Sequence, residues 1–322
     1  MWRTITLTVL ALVLAVVLAL AVVVASRQHL RFDVPYPPVA ASTDPAVIER
    51  GRYVVRDVAN CAVCHGDPAR YEALTNGEEV ALIGGHEWAI PPGRFYARNL
   101  TPDSATGLGR APAGAIARAL RDGVGNDGRA LLPFMEMQGL ADDDLAAVVS
   151  YLETLAPVRH EVPPHAFNLM GMLVRATVLA RPVGPKETPP RVAPRGATVE
   201  NGRYLVEPVA NCWACHTQRN MMTGAPSGPR LAGATEYEDP VDPTRTWSPP
   251  NLTRDPATGV LARFSEDAFV ARFRTGRLLP GSPMPWQGFR RLSDDDLRAI
   301  YRYLSTLPPV RRDVGPPVVA RK

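Results

Sequence analysis

A chain of 322 residues is too long for one small domain and comfortable for two of ordinary size. With 46% hydrophobic and 21% charged residues it has a globular composition, and its 33 prolines, about twice the usual share, point to turns and irregular loops rather than long sheets. The formal charge of +4 comes from scattered basic residues with no Arg/Lys-rich helix, which leaves little ground for a nucleic-acid partner.

In chain order, the first element is an apolar run from Ile5 to Ala25 without charge, Pro or Gly. At 1.5 Å per residue it is about 31 Å long, which matches a bilayer core of roughly 30 Å. A cleavable signal peptide ending at Val23-Val24-Ala25 is the alternative. The apolar region of such a peptide is usually only about 7–15 residues, so the length favours an uncleaved anchor over residues 1–26. Flanking charge orients it weakly, since Arg3 on one side faces Arg27 and Arg31 on the other.

The chain then repeats itself. Gly51-Arg52-Tyr53 recurs as Gly202-Arg203-Tyr204, and Val58-Ala59-Asn60-Cys61-Ala62-Val63-Cys64-His65 as Val209-Ala210-Asn211-Cys212-Trp213-Ala214-Cys215-His216. Asn99-Leu100-Thr101 returns at Asn251-Leu252-Thr253, and Leu140 with Asp142-Asp143-Asp144-Leu145 at Leu292 with Asp294-Asp295-Asp296-Leu297. A period this long signals duplicated domains. In each copy the pattern predicts a helix leading into the cysteines (Pro45–Asp57, Thr198–Glu207) and a middle helix (Ala111–Asp122, Ser265–Thr275). A last helix carries Leu145, Val148, Val149, Leu152 and Leu155, or Leu297, Ile300, Tyr301, Leu304 and Leu307, on one face. Ser293 is a good N-cap for the second of these. Ala141 replaces it in the first copy, whose last helix is expected to fray more easily. The triple Asp supplies negative charge to the positive end of the helix dipole in both. Between the copies, residues 157–197 form a Pro-rich linker with one short helix near Ala166–Leu179 and an extended stretch at Pro182–Pro194.

All four cysteines lie in two Cys-x-x-Cys-His motifs, Cys61/Cys64/His65 and Cys212/Cys215/His216. Two thiols three residues apart reach two vinyl groups on one side of a porphyrin, and the next residue sets an imidazole beneath the iron. This spacing implies two covalent haem c groups. A redox dithiol would not require the His, and a zinc site would not put each pair at the head of its own copy. The propionates of two haems would also offset the formal positive charge. For the sixth iron ligand the second copy offers Met284, held between Pro283 and Pro285. The first offers Met135 after Pro133-Phe134, with Met137 as the alternative, while the ungapped match to Met284 is Leu132. Met170, Met172, Met221 and Met222 read as packing residues. His29, His160 and His165 lie outside the copies, and His86 is the one remaining histidine in a domain loop.

On these motifs, with Asn99-Leu100-Thr101-Pro102-Asp103, Met284-Pro285-Trp286 and Tyr303-Leu304, the chain resembles class I c-type cytochromes in both copies. It resembles more closely the dihaem cytochromes related to cytochrome c subunits of bacterial membrane-bound dehydrogenases. The resemblance covers about residues 44–156 and 198–310, leaving 311–322 as a tail. It implies an all-α fold of two tandem cytochrome c domains after one N-terminal transmembrane helix, with Gly51 and Gly202 allowing the first helix to cross the last. It also implies haem domains in the periplasm on a single-pass inner-membrane anchor, and an electron carrier rather than an enzyme. The expected partners are redox proteins: a dehydrogenase subunit, a quinol-linked complex or an oxidase. The alternatives are a dihaem c-type redox enzyme, peroxidase- or thiosulfate-dehydrogenase-like, and an electron-entry subunit of a terminal oxidase.

Overall fold

The computed structural model describes residues 1–220, 225–239 and 242–321. Met221 and Met222 fall outside the described residues. Helix α1 runs Trp2–Arg27, slightly longer than the apolar run, and buries none of its residues against the rest of the chain. By length and composition it is long and apolar enough to cross a membrane.

Each copy of the repeat builds the same scaffold. Helix α2, Pro45–Tyr53, starts on an Asp44 N-cap and continues through a π-helical turn, Val54–Val58, into α3, Ala62–His65. After the short α4, Tyr71–Thr75, come α5, Ala113–Asp122, and α6, Asp142–Thr154. In the second copy α8, Val199–Tyr204, runs through a π-helical turn at Leu205–Val209 to α9, Cys212–His216. Then follow α10, Glu266–Thr275, α11, Trp286–Phe289, and α12, Asp294–Thr306. The extra residue per π turn ends the first helix just where the chain must swing into the cysteine motif. Asn60 and Asn211, immediately before the cysteines, take φ of 51° and 52°, left-handed values that Asn tolerates better than other side chains.

As expected, the first helix crosses the last at glycine. A Cβ on Gly51 would strike the carbonyl of Ala147 and the Tyr151 side chain, and one on Gly202 would strike the carbonyl of Ala299 and Tyr303. This crossing centres each core: Val54, Val58, Leu140, Leu145 and Val149 in the first copy, Leu205, Val209, Leu292, Leu297 and Ile300 in the second.

The fold is helix-rich rather than purely helical. Strands β1, Glu87–Ile90, β2, Gly93–Tyr96, and β3, Ala166–Phe167, make one small antiparallel sheet. Strands β4, Tyr237–Glu238, β5, Arg245–Trp247, and β6, Val318–Ala320, make another. In each, the segment after the last helix returns to close the sheet, so the linker and the C-terminal tail are structural. The linker's helix α7, Leu169–Thr177, packs against α1.

The linker also overturns the expected fraying of α6. Asp142 N donates to Pro190 O at 3.0 Å and Asp143 N to Arg191 O at 3.1 Å, while Ala193 N donates back to Asp143 Oδ1 at 2.9 Å. Ala141 N, fully buried, donates to Tyr204 Oη at 3.1 Å. Groups that a Ser cap would satisfy locally are satisfied by distant chain.

Candidate haem-binding site

In each copy the Cys-x-x-Cys-His segment forms a turn of helix whose cysteines are free thiols. Burial pushes the Cys61 thiol up to about 11 and those of Cys64 and Cys212 up to about 12. Cys64 is raised further by Cys61 and by Cys215, and the two π-helical turns that lead into the motifs touch one another. The first sheet's counterpart in the second copy contributes here, since Tyr237 shares a hydrogen bond with Cys215.

The two histidines are held identically. His65 Nδ1 lies 2.7 Å from Arg98 O, and His216 Nδ1 lies 2.9 Å from Pro250 O. A carbonyl can only accept, so Nδ1 carries the proton and Nε2 keeps its lone pair for a metal. Burial lowers both imidazole pKa values and the carbonyl bonds only partly offset it, which keeps the rings neutral as iron requires.

The carbonyls are themselves anchored by the Asn-Leu-Thr motif, whose role the sequence did not reveal. Asn99 Nδ2 donates to Val158 O (2.9 Å) and Thr106 Oγ1 (3.1 Å), while its Oδ1 accepts from Thr101 N (2.9 Å). Asn251 repeats this with Val310 O (2.7 Å), Thr258 Oγ1 (3.1 Å) and Thr253 N (3.0 Å). A buried amide with every site used fixes the loop one residue after the histidine's acceptor.

A second pair was also missed. Arg121 ends α5 and donates to Gln138 O (2.7 Å), Leu140 O and Asp142 Oδ1 (2.7 Å). Arg274 ends α10 and donates to Arg290 O (2.6 Å), Leu292 O (2.6 Å) and Asp294. Each guanidinium straps the loop that holds the candidate methionines to the start of the last helix. The only sequence trace is an arginine shortly before Gly123 and Gly276.

Of the candidate methionines, Met135 and Met284 are half-buried beside the core, whereas Met137 is a core residue at 9% exposure. His86 sits edge-on to Trp88, with ring centroids 4.6 Å apart. The cleft residues fit a porphyrin. Paired thiols and a neutral, oriented imidazole stand on one turn, and the apolar cluster of each copy includes Leu100, Leu108 and Ile116, or Leu252, Leu261 and Phe269.

Two helical turns with this donor set have the residues that could hold a haem by two thioethers and an imidazole. Residues 199–308 match the cytochrome c family model, and this segment is a cytochrome c domain. Over 84% of its length the chain is 33% identical to a nicotinate dehydrogenase subunit of Pseudomonas putida, covering 22% of that protein. It is 30% identical to the fructose dehydrogenase cytochrome subunit of Gluconobacter japonicus (85% of this chain, 55% of that one). It is 28% identical to a diheme cytochrome c-type protein of Cereibacter sphaeroides (78% of this chain, 82% of that one). The chain thus spans a fraction, in the second case about half, of the dehydrogenase subunits it matches. It is a c-type cytochrome similar to dehydrogenase cytochrome subunits, and its cofactor is haem c, two per chain, as the duplicated motif and the dihaem relative agree.

Proposed function

We propose that the chain is a membrane-tethered dihaem cytochrome that passes single electrons from a periplasmic dehydrogenase subunit or quinol-linked donor to a downstream acceptor. Its two tandem cytochrome c domains are residues 44–156 and 198–310. Cys61 and Cys64 carry one haem and Cys212 and Cys215 the other. His65 and His216 are the proximal iron ligands, and Met284 is the distal ligand of the second haem. When bound, the haems supply the one-electron chemistry. The protein's part is to hold the imidazoles neutral through Arg98 O and Pro250 O, to exclude water with the helix-crossing core, and to keep the two motifs adjacent. The observation that carries this reading is the duplicated Cys-x-x-Cys-His turn with each imidazole Nδ1 donating to a fixed carbonyl. The exposed apolar α1 supports the tether, and the names of the relatives support a dehydrogenase donor.

The test is haem content and mass. Acid–acetone extraction followed by pyridine haemochrome assay is expected to retain two haems per chain. Cys212→Ser/Cys215→Ser should retain one. Retention of one haem or none by the unmutated protein on extraction would sink the proposal.

A further inference from the structure

The two distal loops are built on one turn but carry different side chains. Trp286 N donates to Met284 O at 2.8 Å around Pro285, and Phe134 N donates to Leu132 O at 2.8 Å around Pro133. An inverse turn of this kind fixes where the side chain before the proline points. The separation is 284 − 132 = 152, and the loops keep it without a gap. Arg274 grips Arg290 O and Leu292 O as Arg121 grips Gln138 O and Leu140 O, and 290 − 138 = 292 − 140 = 152. Contacts with the opposite copy keep the same register. Asn60 packs on Gly288 and Asn211 Nδ2 donates to Glu136 O at 3.0 Å, with 288 − 136 = 152. Leu132 therefore stands where Met284 stands. Met135 falls on the register of buried Gln287, and Met137 on that of Phe289, which is buried like it (7% and 9%). The expected ligation by Met135 would require this loop to leave the register that Arg121 holds.

Leucine fills nearly the volume of methionine and has no lone pair. Resting on the reading of one haem per motif, we infer that the first haem has no methionine ligand. Its distal position, faced by Leu132, takes a small exogenous π-acceptor such as carbon monoxide or nitric oxide. His86 is not assigned to this position: the loop before it is tied to the proximal segment, Gly84 N donating to His65 O at 2.8 Å and Gly85 N to Ala97 O at 2.9 Å, and its ring is engaged edge-on by Trp88. The two haems are thus unequal. Methionine ligation raises the potential, so the first haem is the lower-potential centre and electrons run from it to the second.

Carbon monoxide titration of the reduced full-length protein tests this, with haem content measured on the same sample. Uptake of one carbon monoxide per two haems is expected. Leu132→Met should abolish that uptake and double the charge-transfer band that reports a methionine–ferric iron bond. Two haems with no uptake would overturn the inference while leaving the dihaem reading intact, and uptake opened only by Met135→Leu or His86→Ala would name the residue that closes the site. One haem per chain would overturn the dihaem reading and this inference with it.

Discussion

The two copies share a fold and differ in how they finish it. In the second, Ser293 caps α12 from within, its Oγ accepting from Asp296 N at 3.1 Å. In the first, Ala141 cannot, and the same end of α6 leans on the linker and on Tyr204. Tyr204 Oη donates to Asp144 Oδ2 at 2.8 Å, and its counterpart Tyr53 donates to Asp296 Oδ2 at 2.6 Å while accepting from Ser293 N at 3.0 Å. Each copy's first helix thus caps the other's last, in a reciprocal arrangement with the logic of a two-fold interface. Beneath Asp144 lies a bidentate Arg50 (2.7 and 2.8 Å), and the counterpart beneath Asp296 is the neutral Asn201 (2.8 Å). The second copy has a side-chain cap of its own in addition to Tyr53 and carries Met284. The first borrows its cap, holds a buried ion pair and carries Leu132.

The sharpest break of this comparison is Met284→Leu, which makes the second copy like the first. It is expected to remove the whole methionine–iron band and to lower the upper potential by on the order of 100 mV, a modest part of the roughly 0.8 V that axial ligands command. A band reduced only by half would show the copies to be alike after all.

Next come the cross-caps, read by denaturant unfolding. Tyr204→Phe leaves the buried Ala141 N unpaired and should cost about 1–3 kcal/mol. Tyr53→Phe should cost only about 0.5–1.5 kcal/mol, since Ser293 still caps α12. Equal costs would contradict the asymmetry.

The smallest effect concerns acid. Burial raises the Asp144 carboxyl, but Arg50, Arg195 and the Tyr204 hydroxyl outweigh it and hold the group below its ordinary value. A folded pKa below the unfolded one contributes stability that is fully present above the unfolded value, about 4, and is lost as pH falls through the folded one. Asp144→Asn should therefore flatten the acid limb of a stability–pH curve below about pH 4. An unchanged limb would remove Asp144 from the account.

Much of this was legible in the sequence because covalent haem attachment is a local demand: Cys61, Cys64 and His65 must be contiguous, and so must their repeats. The helices were legible from spacing, and the crossing at Gly51 and Gly202 from the resemblance to class I cytochromes. The partners of the histidines were not, because Arg98 and Pro250 act through backbone carbonyls that every residue has. Nor were the cross-caps, which join Tyr53 to Ser293 and Asp296 in the far copy. Residue types and short spacings determined the cofactor and the repeat. The tertiary structure alone decided how the two proline turns are strapped in register and which copy's cap is borrowed, because hydrogen bonds across the fold set these, and side-chain identity carries no record of them.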